Sequence, residues 1–124
     1  MACLSVRLLG PLQITLDGEP VIGFVSDKVR ALLTYLALES EQSHRREKLA
    51  GLLWPDWTER SARANLRRAL ANLRQVIDDH QATPPFLHIS RQTVQFIRAS
   101  DAWIDVAAFT DLLQAKALSH QTIR

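Results

Sequence analysis

An α+β fold is predicted for this 124-residue chain by three observations. Short runs rich in β-formers open the sequence, three segments with helical apolar spacing fill its middle, and two further β-rich runs follow the last and longest of these. Charge is distributed just as unevenly. The chain carries a net +2, yet between Ser43 and Arg74 eight basic residues stand against three acidic ones, a local +5 set against −3 elsewhere.

Taken in order, LSVRLLGPLQITL (4–16) is broken by Gly10-Pro11, and Asp17-Gly18 offers a tight turn before Pro20-Val21-Ile22. This predicts an N-terminal antiparallel β-meander of two or three strands. Ser26 or Asp27 is placed to cap a first helix, whose apolar positions Val29, Leu32, Leu33, Leu36 and Ala37 recur at helical intervals and which ends near Glu39. The polar connection ESEQS leads to a short second helix from Arg45 to Trp54, with Leu49, Leu52 and Leu53 inward and Arg45, Arg46 and Lys48 outward. Pro55 stops it, because the residue before a proline is biased out of the helical region.

A third helix over 58–79 follows the WPDWT loop. Leu66, Leu70, Leu73 and Ile77 recur at four, three and four, which confines them to a stripe of roughly 60° that must face a core. Neither Gly nor Pro interrupts the run, and Ala, Leu, Arg and Gln all favour helix. Pro84-Pro85 then breaks the chain, and FLHI and TVQFI flank Ser90-Arg91-Gln92 as the strands of a hairpin, 86–97. Helix, short helix, loop, long helix and hairpin in that order make a helix-turn-helix with a lengthened turn and a wing. After a linker, RASDAW, Asp105 is placed to cap an extra C-terminal helix with Val106, Phe109, Leu112 and Leu113 on one face. The expected division is therefore 1–98 as a winged helix and 99–124 as a linker with the first helix of a second, truncated module.

Composition narrows the function. Hydrophobic residues make up 47% of the chain, enough for a genuine core, and the single cysteine, Cys3, excludes an intramolecular disulfide framework and a Cys-based zinc site. Apolar clusters such as ALLTYLAL fall far short of the ~20 residues a membrane helix needs, and no signal-peptide pattern opens the chain. A cytoplasmic protein without a membrane partner is expected. There is no Gly-rich phosphate loop, nucleophile elbow or His-x-x-x-His pair, and His44, His80, His88 and His120 are scattered, so neither an enzyme nor a cofactor is expected.

The basic segment suggests nucleic acid instead. Placed around the long helix relative to Leu66, Asn65, Arg68 and Asn72 fall at about 200° to 260° and Gln75 at about 180°, away from the core. Arg and Asn are the side chains that match guanine and adenine edges bidentately, and Ala64 and Ala71 on the same side allow a duplex close approach. Arg63, Arg67 and Arg74 cluster on one flank at about 60° to 100°, where a helix in a groove meets a phosphate strand. By itself such a face is equally a solvated surface with pairs such as Glu59 and Arg63. Arg91 at the hairpin tip is similarly balanced between a phosphate contact and a solvated turn. Of Trp54 and Trp57, at least one is expected in the core, and an exposed one would be a partner site.

Beyond these readings, three blocks carry a resemblance: LLGPLQITLDG, DKVRALLTYLAL and HRREKLAGLLWPDWTERSARANLRRALANLRQVI. They resemble the N-terminal OmpR-type winged helix of the SARP (antibiotic regulatory protein) transcriptional activators over residues 4 to about 98, most specifically in REKLAGLLWPDWTERSARANLRRALANLR. ASDAWIDVAAFTDLLQAKA is similar to the opening of the bacterial transcriptional activation domain that follows it in that family, with Asp105 and Phe109 as its Asp and Phe. The resemblance implies that the helix enters the major groove and the wing the adjacent minor groove, implicating Arg63, Asn65, Arg67, Arg68, Asn72 and Arg74. Arg91 on the wing and Arg45 and Arg46 at the second helix complete the expected DNA-binding set. Trp54, Pro55, Asp56, Trp57 and Thr58 are implied to contact RNA polymerase.

Expected partners are thus double-stranded DNA, with sites as direct repeats, and RNA polymerase. The apolar face of the last helix adds a homodimer and keeps open a protein-interaction module that does not bind DNA.

Overall fold

The computed structural model describes residues 3–97 and 102–105. Alternation builds its first sheet: β1 (Leu4–Arg7) and β2 (Gln13–Leu16) pair antiparallel with Val6 opposite Ile14, and Leu4, Val6 and Ile14 point into the core. Asp17 and Gly18 both take positive φ, 53° and 83°, the requirement of a two-residue hairpin turn matched to strand twist. β3 (Glu19–Pro20) then adds to the edge beside β2, giving the expected meander.

α1 (Asp27–Leu38) buries Val29, Leu32, Leu33, Leu36 and Ala37, the stripe its spacing predicts. The second helix differs from expectation at both ends of the argument. His44 and Arg45 form a short strand, β4, so α2 begins at Arg46 and ends at Leu53. Leu49 and Ala50 are buried, while Leu52, expected inward, is 54% exposed. At ~100° per residue, Leu49, Leu53 and Ala50 share one arc and Leu52 falls outside it, and a helix this short has only one face to bury. Lys28 Nζ donates to the Leu53 carbonyl at the end of α2 and lies 5.8 Å from the Trp54 ring centroid, so Trp54 is packed and Trp57 is the exposed one.

α3 (Glu59–Val76) is the long helix, three residues shorter at its C-terminal end than periodicity suggests once Ile77 is counted as the cap at Leu73's carbonyl. Thr58 caps its start, Oγ1 accepting from Ser61 N at 3.2 Å. It stops without glycine or proline. Asp78 adopts a left-handed φ of 55°, its N–H donates to Gln75 O and that of Asp79 to Arg74 O, the double bond pattern that closes a helix C-terminus. Asp79 is therefore not a continuation of the helix surface. It is buried, and its Oδ1 accepts from the Phe86 and Leu87 amides at 2.7 and 3.2 Å, which fixes where the next strand begins.

The wing, β5 (Leu87–Ile89) with β6 (Thr93–Phe96), is the predicted hairpin, and β4 joins it to make a three-stranded sheet in the order β4-β6-β5. Its turn is built by a side chain: Ser90 Oγ accepts from the Gln92 and Thr93 amides. Phe86, Val94 and Phe96 enter the same core as Leu32, Leu49, Leu66 and Leu73.

A further correction concerns the linker. Ala102–Ile104 forms β7, parallel to β1 with Val6 opposite Ile104, so the first sheet has the order β3-β2-β1-β7. The Asp105 carboxylate accepts from the Leu8 and Leu9 amides at 2.8–2.9 Å, satisfying donors at the end of β1. Residues 102–105 thus belong to the first core, and a boundary at 98 falls before the sheet is complete. The expected C-terminal helix with Val106, Phe109, Leu112 and Leu113 lies outside the described residues. Among the described residues, no helix is long and apolar enough to cross a membrane.

Candidate nucleic-acid interface

The buried stripe of α3, centred on Ala62, Leu66, Ala69, Leu70 and Leu73, determines by helical geometry which side chains face away. Arg60, Arg67, Arg68, Ala71 and Gln75 are exposed on that far side, with Ala64 half-buried between them. Among the described residues Arg60 and Arg67 have no hydrogen bond or ion pair, so their guanidiniums are free to meet an anion. Arg68 Nη2 donates to Asn65 Oδ1 at 3.0 Å, an i, i+3 pair that holds its guanidinium in place.

The wing approaches the N-terminal half of α3 and leaves a groove of about 690 Å³ lined by Arg45, Arg46, Glu47, Arg63, Leu66, Arg67, Arg91 and Gln92. Two bonds fix its walls. The Arg46 N–H donates to Gln92 O at 2.8 Å and its Nη1 to Ser90 O at 3.1 Å, so the start of α2 carries the wing tip. Arg91 projects from that tip, exposed. Five arginines and one carboxylate at the rim make a concave positive surface, the electrostatic form of a phosphate-binding groove.

Asn72 and Arg74, both expected on DNA, are tied to other segments of the fold. Asn72 Nδ2 donates to Gly23 O at 3.1 Å and its Oδ1 accepts from Val25 N at 3.1 Å, so both ends of the amide hold the loop between β3 and α1. That loop lies close: Gly23 has φ of 97°, and a Cβ there would sit 3.2 Å from Val76 Cγ1. Arg74 sits 3.6 Å from the buried Asp79 carboxylate and its Nη2 lies 3.4 Å from His80 Nδ1, so it serves the helix end. Both side chains are thus engaged within the fold, Arg74 remaining 39% exposed. Arg45, Arg46, Arg63, Arg67 and Arg91 come together in the groove, with Asn65 and Arg68 beside it on α3.

Sequence reasoning left two residues out of the site. Arg60 shares a shallower depression with Glu59, Arg63 and Arg67, and its position about 120° from Leu66 on the helical wheel was signal enough to include it. Glu47 gave no signal, since its role depends on how α2 meets α3.

In the loop after α2, Trp54 is buried whereas Pro55, Asp56, Trp57 and Thr58 are exposed, Trp57 by 58%. Trp54 thus anchors a loop that presents Trp57.

A three-helix core, a long helix with a free basic face, and a hairpin tied to the preceding helix define a winged helix-turn-helix domain. No family model matches the chain. It is 36% identical over 74 residues, 60% of its length, to the transcriptional regulatory protein EmbR of Mycobacterium bovis and of Mycobacterium tuberculosis. The solved structure of Mycobacterium tuberculosis EmbR in complex with a low-affinity phosphopeptide matches with a TM-score of 0.64 and 30% identity, over 77% of this chain and 25% of that one. In sequence and in fold the winged helix of this chain is thus similar to part of EmbR. The chain spans about a fifth of the length of the curated relatives it matches, 19%.

Proposed function

We propose that this chain is the DNA-binding portion of a bacterial transcriptional activator, with α3 in the major groove of a duplex and the wing on the adjacent minor groove or backbone. The observation that carries the reading is the groove between α3 and the wing, in which five arginines from β4, α2, α3 and the wing turn converge beside the exposed face of α3. Arg45, Arg46, Arg63, Arg67 and Arg91 serve as phosphate contacts, joined by Arg60. Arg68, positioned by Asn65, reads a base edge together with Gln75, and Ala64 and Ala71 leave room for the bases. The likeness to a transcriptional regulatory protein supports the same reading.

Affinity for duplex DNA is expected to fall linearly with salt on logarithmic axes, because each neutralised phosphate releases counterions. Arg67→Ala should weaken binding to every duplex and lower the salt slope by about 1. Fluorescence anisotropy against salt checks this, and binding indifferent to both salt and Arg67 would sink the reading.

The loop 54–58 is proposed as the surface for RNA polymerase. Its support is an exposed Trp57 held out by a packed Trp54, an aromatic anchor of the kind that dominates protein interfaces. Trp57→Ala should abolish activation in a reconstituted transcription assay while leaving DNA affinity unchanged. Sites are proposed to be direct repeats, and sequences selected from a random duplex pool would show them at a spacing near one helical turn.

A further inference from the structure

One acidic side chain stands inside the basic groove. Glu47, in the first turn of α2, has one carboxylate oxygen 3.0 Å from Arg45 Nε and the other 3.1 Å from Arg63 Nη2. Arg63 is held from outside as well, by Glu59 at 3.2 Å. A carboxylate bridging two guanidiniums meets the same donors, in the same charge-assisted geometry, that a phosphate would meet between them. All three side chains remain partly open to solvent, with 44% exposure for Glu47, so the pairs are of the weak, displaceable kind.

We propose that Glu47 is an internal phosphate surrogate, displaced when a duplex enters the groove, and that it tunes the domain against non-specific DNA. The inference rests on the DNA-binding reading above. Binding without sequence preference derives almost wholly from phosphate contacts and counterion release. Arg45 and Arg63 are already neutralised in the free protein, so they release fewer counterions on binding any backbone. The base-facing residues Arg68 and Gln75 have no contact with Glu47, so discrimination is kept while background affinity is lowered. A purely local role, favourable charge at the start of α2, would change stability and leave binding as it is.

The test is Glu47→Gln, which keeps the shape and removes the charge. Binding is measured against salt on two probes, a mixed-sequence duplex two helical turns long and a duplex selected from a random pool. The variant should bind the mixed-sequence duplex roughly three- to tenfold more tightly at low salt, with a slope steeper by about 1 to 2. It should gain less on the selected duplex, so the ratio between the two falls. Glu19→Gln makes the same charge change on β3, outside the groove, and should alter neither. In an Arg63→Ala background the gain from Glu47→Gln should shrink. Wild-type binding with Glu47→Gln unchanged, weaker, or matched by Glu19→Gln overturns the inference alone. Wild-type protein that binds neither duplex overturns the reading beneath it.

Discussion

Along α3 the N-terminal part, through Arg68, presents Arg60, Arg67 and Arg68 to solvent, whereas the C-terminal part leaves Gln75 exposed but ties Asn72 and Arg74 to neighbouring segments. Both halves carry arginine and asparagine on the polar side of one amphipathic helix. What separates them is their neighbours. The first half faces the open groove beside the wing. The second is covered by the loop around Gly23 on one side and by the turn at Asp78 and Asp79 on the other. A polar residue facing away from the core is therefore available for recognition only where no other segment of the chain returns to meet it.

The most damaging way to sharpen the comparison is at Asp79. Its side chain is only 2% exposed, accepts two backbone amides and lies beside Arg74. Asp79→Ala would leave those buried donors unmet and should cost about 3 kcal/mol in urea-denaturation stability, since each unsatisfied buried group costs roughly 1–3 kcal/mol. If the loss is near zero, the C-terminal half is not the structural end it is taken to be.

Arg68→Ala probes the other half. It should leave stability nearly unchanged and reduce discrimination between selected and mixed-sequence duplexes by about 1–3 kcal/mol, the usual worth of a bidentate base contact. Uniform weakening on all sequences would instead make Arg68 a phosphate contact.

Most of the fold was legible because its periodicities are local. The stripe in α1, the stripe in α3 and the hairpin 86–97 all follow from spacing within one segment. What escaped depended on distant partners. β4 is only two residues long and exists because β6 lies alongside it. β7 looked like linker because three residues paired to β1 across almost the whole sequence have no period of their own. The site divided in the same way. Helical geometry placed Arg63 and Arg67 on the flank that lines the groove, while the ties of Asn72 to the Gly23–Val25 loop and of Arg74 to Asp79 had no signal in spacing, because those partners are placed by tertiary structure.

Asn72→Ala therefore has opposite expectations under the two assignments. As a loop clamp, Asn72 makes two bonds that are open to solvent, and its loss should cost about 1 kcal/mol of stability. The sequence preference and the salt slope of the folded protein should stay as they were. A shift in the selected sequence at one position would return Asn72 to the reading face and break the division drawn between the halves.

The smallest effect lies at Asp78, where the two halves differ in how the helix is held. A left-handed conformation costs an ordinary side chain roughly 1–2 kcal/mol, less for Asp, and glycine removes that strain while adding freedom to the unfolded chain. Asp78→Gly should thus stabilise the protein by about 0.5 kcal/mol and leave DNA binding unchanged. A gain in stability accompanied by altered affinity would mean that the end of α3 adjusts when DNA is bound, so that the turn at Asp78 and Asp79, beyond the reading face, sets the angle at which α3 meets the groove.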